Sequence, residues 1–214
     1  GQELANSLGK QFIEFSKIVK REDFDRVVRE IEKYFVVCGY AVTHVEPSDM
    51  SGYPQKMDSG EYVSLTLLDY AYLLSRPGAS GILFLDEITL DNRVDRKSSE
   101  LKILDEHQLG FKQLSPLVLV IAAGNTEDDT SLAQPLPDPM LRGRIVRFYV
   151  SAPSVEEWID YMNRRYSDGW EKKIGAFLLR YRDFLWRKYE GDEGYDPRLS
   201  PRNWTKLARM LWMS

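Results

Sequence analysis

The chain has 214 residues, 43% hydrophobic and 29% charged, with a formal net charge of −4. This is ordinary globular composition, sized for one large domain or one domain with a small appendage, and its acid excess argues against a general binder of phosphate backbones. Cys38 is the only cysteine, which excludes an intrachain disulfide, and apolar runs such as 117–123 fall far short of the ~20 residues of a membrane helix, so a reducing, cytoplasmic setting is expected.

From the start of the chain, Leu4, Leu8, Phe12, Phe15, Ile18 and Val19 predict an amphipathic helix over 2–21. Gly9-Lys10 is the only Gly-Lys pair. A phosphate-binding G-x-x-x-x-G-K-[ST] loop would need glycine where Leu4 stands and a hydroxyl where Gln11 stands, and no apolar strand precedes it. A second helix is predicted over Phe24–Phe35, with Val27, Val28, Ile31 and Phe35 inward, ended by Gly39 and followed by a strand over 40–45. Residues 46–54 read as a turn-rich loop, and 61–74 as a helix broken by Arg76-Pro77-Gly78.

Gly81-Ile82-Leu83-Phe84-Leu85-Asp86-Glu87-Ile88 is the most informative stretch. Its continuous apolar run predicts a strand buried on both faces, as in a parallel sheet, and its two acids fall at the C-terminal end, where open α/β sheets bind ligands. Successive strand residues point to opposite faces, so Asp86 and Glu87 are expected to do different work, one toward a metal and one toward a nucleophile. A helix over 94–106 follows, then a second buried strand over 117–123 that ends in Gly124-Asn125, and a third over 145–150. Strands alternating with helices predict an α/β class, an αβα-layered, mostly parallel sheet over 1–150 with residues 1–25 as an N-terminal helix. Residues 151–214 read as a small, Trp-rich helical domain, with Ser200-Pro201 marking a helix start.

In this order the motifs resemble an AAA+ ATPase of the MoxR-like, dynein-related type, from about residue 26 onward. The 81–88 stretch is similar to the Walker B strand, 119–125 to the sensor-1 strand, 136–145 to the segment bearing an arginine finger, and Ser200-Pro201-Arg202 to sensor 2 on a lid helix. The loop 46–54 is similar to the acidic loop after the family's second strand. The resemblance implies ATP and Mg²⁺ as cofactors. Asp86 is then expected at the Mg²⁺, directly or through water, Glu87 polarising the attacking water, and Asn125 placing it. Arg144 is expected as the finger acting in trans, with Arg142 its rival, and Arg202 as the γ-phosphate sensor. It further implies a ring homo-oligomer, commonly a hexamer, sometimes with a von Willebrand factor A-type partner, and no membrane.

The family's first strand and phosphate loop have no counterpart here, since Lys20–Asp25 contains no glycine. Two explanations compete: a degenerate, nucleotide-free assembly subunit, or an intact protein with a further stretch near Arg21–Arg26. A sheet without that strand is expected to leave a gap beside the Walker B strand, which favours the second. A DNA-acting motor is a weaker alternative, for which Arg93, Arg96 and Lys97 are the candidate contacts.

Overall fold

A run such as Gly81–Leu85 has no polar face to turn to water, so it is stable only with a strand on each side and side chains packed above and below. The computed structural model, which describes residues 1–56, 63–91, 93–126, 133, 145–186 and 199–214, places it in that setting. Its strands are β1 (Gln11–Glu14), β2 (Tyr34–Ala41), β3 (Tyr53–Lys56), β4 (Val63–Thr66), β5 (Ser80–Asp86), β6 (Gln108–Leu109), β7 (Lys112–Gln113) and β8 (Leu117–Ala122). Four of them form one all-parallel sheet in the order β1-β2-β5-β8; β3-β4 and β6-β7 are separate antiparallel pairs.

Because ladder order follows chain order, every crossover steps the same way. Right-handed crossovers then carry their helices to one face. On that face Val36, Cys38, Leu83, Leu85 and Val118 pack against Phe24 and Val27 of α2 (Arg21–Arg29) and Leu73 and Leu74 of α4 (Asp69–Leu74). Ile103 joins them from the π-helical turn Lys102–Glu106 that continues α5 (Val94–Leu101). On the opposite face Phe35 and Ile82 pack against Ala5 of α1 (Gln2–Ser7). Gly81 lets β2 and β5 close up: a Cβ there would stand 1.9 Å from the Val36 carbonyl oxygen.

The fold is therefore α/β with a parallel sheet, and β5, β8, α5 with its extension, and the helix at 201 lie where the sequence predicts. Several early elements do not. The expected helix over 2–21 is α1, a turn at Gly9 (φ 64°), and β1. Gly9 takes the left-handed conformation that ends α1, and Phe12 and Ile13 then alternate between the two sheet faces. The helix expected to reach Phe35 stops at Arg29. Tyr34–Cys38 is rich in aromatic and β-branched residues and gains partners on both sides as a strand, so β2 replaces the helix end; of the strand expected over 40–45 only Tyr40 and Ala41 belong to β2, and Val42–His44 is a 3-10 turn. The loop 46–54 contains α3 (Pro47–Ser51), whose capping box joins Glu46 and Asp49, and the first part of the helix expected over 61–74 is β4.

The expected gap beside the Walker B-like strand is not found, since β5 is paired on both sides. β8 is an edge strand among the described residues rather than a strand buried on both faces as expected, with Leu117, Leu119 and Ile121 60%, 54% and 38% exposed. The strand expected over 145–150 is also not formed; Val146, Phe148, Tyr149 and Val150 are 77–93% exposed. β-propensity alone does not make a strand, and among the described residues none pairs with this segment.

The chain divides into two compact units, Gly1–Glu127 with Leu132–Val146 and Asp128–Ser131 with Arg147–Ser214. In the second, α6 (Val155–Tyr166), α7 (Lys172–Arg180) and α8 (Pro201–Met213) bury Trp158, Met162, Trp170, Leu178 and Ala208. Ser154 and Ser200 cap α6 and α8, accepting from the N–H groups of Glu157 and Asn203. The Trp158 indole N–H donates to Pro201 O and Thr205 Oγ1, joining α6 to α8. Among the described residues no helix is long and apolar enough to cross a membrane.

Candidate functional site

Register brings the site together. Ala41 is opposite Asp86, and Leu85 is opposite Ala122, so β2, β5 and β8 end side by side. The residues just beyond these ends, Thr43, Glu87 and Gly124-Asn125, emerge along one C-terminal edge.

Asp86 is exposed, and its Oδ1 accepts from the Glu87 N–H at 3.0 Å. Glu87 is half-buried in the left-handed region (φ 60°), a conformation that costs a non-glycine residue about 1 kcal/mol. Its carboxylate is held: Thr43 Oγ1 donates to Glu87 Oε2 at 2.7 Å. The loop that follows is fixed to the neighbouring strand end, with Ile88 N–H donating to Ala123 O at 3.0 Å and Ala123 N–H to Leu85 O at 2.8 Å. Gly124 permits this approach, because a Cβ there would fall 2.6 Å from Thr89 Oγ1. Asn125 lies exposed at the same edge.

Behind this edge lies a buried charged cluster that sequence reading missed. Asp91 and Glu100 are fully buried, and Arg96 nearly so. Arg96 grips Asp91 with both Nε (2.9 Å) and Nη2 (2.5 Å), and its Nη1 donates to Val45 O at 2.8 Å and Thr43 O at 3.3 Å. Lys97 Nζ donates to Ile88 O at 2.7 Å and to Glu100 Oε2 at 3.2 Å. Burial alone would raise the Asp91 carboxyl, but bonds from Arg96, Glu100 and the Arg93 N–H overcome it and hold Asp91 below the usual carboxylate range. Burial, then the bond to Asp91, pushes Glu100 up to about 7. The five-residue spacing of Asp91 and Arg96 was the available signal, but it reads equally well as a solvated helix face.

The same cluster answers the proposed DNA contacts. Arg96 and Lys97 are turned into the fold, and Arg93 pairs with Glu46 at 3.0 Å, so these three do not form a basic surface. Arg142 and Arg144 lie outside the described residues. Arg202 is exposed in the first turn of α8, in the second unit. A cation in a first turn opposes the helix dipole, so helix stability does not account for it.

A cavity between β1 and β2, lined by Glu14, Phe15, Ser16, Val37, Cys38 and Gly39, offers no comparable chemistry. Burial pushes the Cys38 thiol up to about 12, which removes it as a nucleophile. Among the described residues no three histidine, cysteine or acidic side chains gather as a metal cage. Mg²⁺ is commonly bound by one or two carboxylates completed by substrate phosphates and water, so the exposed Asp86 beside Glu87 fits that ion without a cage. No protein-family model matches the chain, and no curated protein matches it.

Proposed function

We propose that this chain is an AAA+-type ATP hydrolase that works as a ring oligomer to remodel other proteins. One observation carries the reading: two adjacent acids at the end of a central parallel strand are placed differently, Asp86 exposed and Glu87 held by Thr43 in a left-handed backbone conformation. Strained backbone of this kind concentrates at functional sites. A resting carboxylate with one oxygen bonded to Thr43 keeps the other to polarise a water molecule.

In this reading Asp86 would hold Mg²⁺, which when bound would supply positive charge at the ATP phosphates. Glu87 orients and polarises the attacking water, and Asn125 at the neighbouring strand end helps place it. Arg144, with Arg142 as alternative, reaches the phosphates of a neighbouring subunit, and Arg202 senses the γ-phosphate. The resemblance carries these three arginine assignments, as it does the hexameric ring and a von Willebrand factor A-type partner. Glu87→Gln is the test: ATP binding persists while turnover falls by orders of magnitude, and wild-type turnover in this variant removes the role.

A second reading is favoured by one observation, the lack of a glycine-rich phosphate loop in the sequence. In it the chain is a nucleotide-free assembly subunit of the same fold. Wild-type protein that neither binds nor hydrolyses ATP establishes this reading over the first.

A further inference from the structure

We propose that the Asp91–Arg96–Lys97–Glu100 cluster is a positioning device for Glu87: it holds the two backbone segments that meet at the Thr43–Glu87 hydrogen bond, and the proton on Glu100 governs how firmly. The inference takes its functional meaning from the hydrolase reading, but its structural test stands apart from it.

The geometry is that of a clamp. Arg96 donates to the carbonyls of Thr43 and Val45, bracketing the turn that presents the Thr43 hydroxyl. Lys97, the next residue of α5, donates to the carbonyl of Ile88, immediately after Glu87. One turn of helix thus grips both sides of the Thr43–Glu87 bond. Asp91 locks the Arg96 fork through two bonds. Four charged groups in the interior are weak contributors to stability compared with an apolar core, which leaves specification of a single local geometry as their role.

Glu100 is the member able to change state. Its Oε2 accepts from Lys97, whereas its buried Oε1 accepts no hydrogen bond. A protonated carboxyl gains a donor that Asp91 can accept. Burial, and then Asp91, pushes Glu100 up to about 7, so the proton is exchanged near neutrality. With the proton on, Glu100 supports Asp91 and leaves the Lys97 ammonium to Ile88 O. With it off, two buried carboxylates face each other, and the Glu100 charge draws Lys97 away from Ile88 O. The clamp is therefore tighter on the acid side.

Tyr40, which feels the Glu100 charge, and its neighbours Tyr70 and Cys38 do not compete in this range. Burial raises the Tyr40 phenol on β2 and the Tyr70 phenol on α4, and it carries the Cys38 thiol to about 12, so all three stay neutral. On α3, packed against α5, Asp49 is engaged by the Tyr53 hydroxyl and the Glu46 N–H.

The test is an amide NMR titration of the full chain from pH 5.5 to 8.5, in a His44→Gln/His107→Gln background that removes both imidazoles. The amides of Thr43, Ile88 and Leu90 are expected to share one inflection near pH 7. Glu100→Gln abolishes it; Lys97→Met removes it from Ile88 and Leu90 and leaves it at Thr43. No inflection in the background protein, or one that survives Glu100→Gln, overturns the proposal. Steady-state ATPase supplies the functional arm: kcat falls two- to fivefold between pH 6.5 and 8 at constant KM, and stays flat in Glu100→Gln. Protein without ATPase activity removes the hydrolase reading, while the amide titration still decides the clamp.

Discussion

Thr43 and Glu87 are 44 positions apart in the chain, yet their side chains meet at 2.7 Å. Glu87 announces itself in the sequence because it follows an apolar run and an aspartate. Thr43 does not: it is one threonine among several, in a stretch that reads as strand interior. Only the parallel pairing of β2 with β5, with Ala41 opposite Asp86, brings its hydroxyl to the acid. If that hydroxyl orients the Glu87 carboxylate, Thr43→Val lowers kcat about tenfold with ATP affinity unchanged, a loss of roughly 1.4 kcal/mol in transition-state stabilisation. Thr43→Ser keeps the donor and restores most of the rate. Equal loss in both variants assigns Thr43 to packing instead. Stability changes by no more than ~1 kcal/mol in either, because the site is half open to water.

At the scale of elements, the contact between β2 and β5 and the seat of α5 determine whether the site exists. Gly81 has no room for a methyl group, since the obstacle is the Val36 backbone rather than a movable side chain. Gly81→Ala forces the two central strands apart and destabilises the first unit by about 3 kcal/mol, read as a lower urea midpoint at unchanged slope. The buried Glu100 gives α5 a pH signature. Its carboxyl rises from 4.5 in the open chain to about 7 in the fold, so the native state binds the extra proton between those values. Native stability therefore declines as pH rises from about 4.5 to about 7, and the deficit is complete above 7. Glu100→Gln removes it: the variant melts a few °C above wild type at pH 8 and no higher than wild type at pH 4.5. A constant difference across that range refutes the assignment.

At the scale of the whole molecule, the hydrolase reading makes a demand that no single subunit can meet. If Arg144 serves a neighbour's phosphates, Arg144→Ala binds nucleotide and does not hydrolyse it. Mixed with Glu87→Gln, it regains part of the activity, because some interfaces then pair an intact Glu87 with an intact arginine. Arginine suits this role because its planar, always-charged fork grips phosphate oxygens in pairs. The measurement is ATPase rate against mixing ratio under subunit exchange. Normal activity in Arg144→Ala transfers the role to Arg142, and no rescue in any mixture argues against a shared site.

What the sequence determined by itself was whatever depends on strong local signals. The apolar runs at 81–85 and 117–122 read as strands and are strands, although only the first is buried, Ser200 stood where a cap belongs, and the acids at 86–87 marked the strand end at the candidate site. The tertiary structure decided the segments whose local pattern fits two answers. Tyr34–Cys38 became strand because partners stood on both sides, and Ile145–Val150 did not, having none among the described residues. It also turned Arg96 and Lys97 from a presumed surface into a buried clamp. Charge patterning along a helix shows which residues share a face, whereas the direction that face points is set by what packs against it.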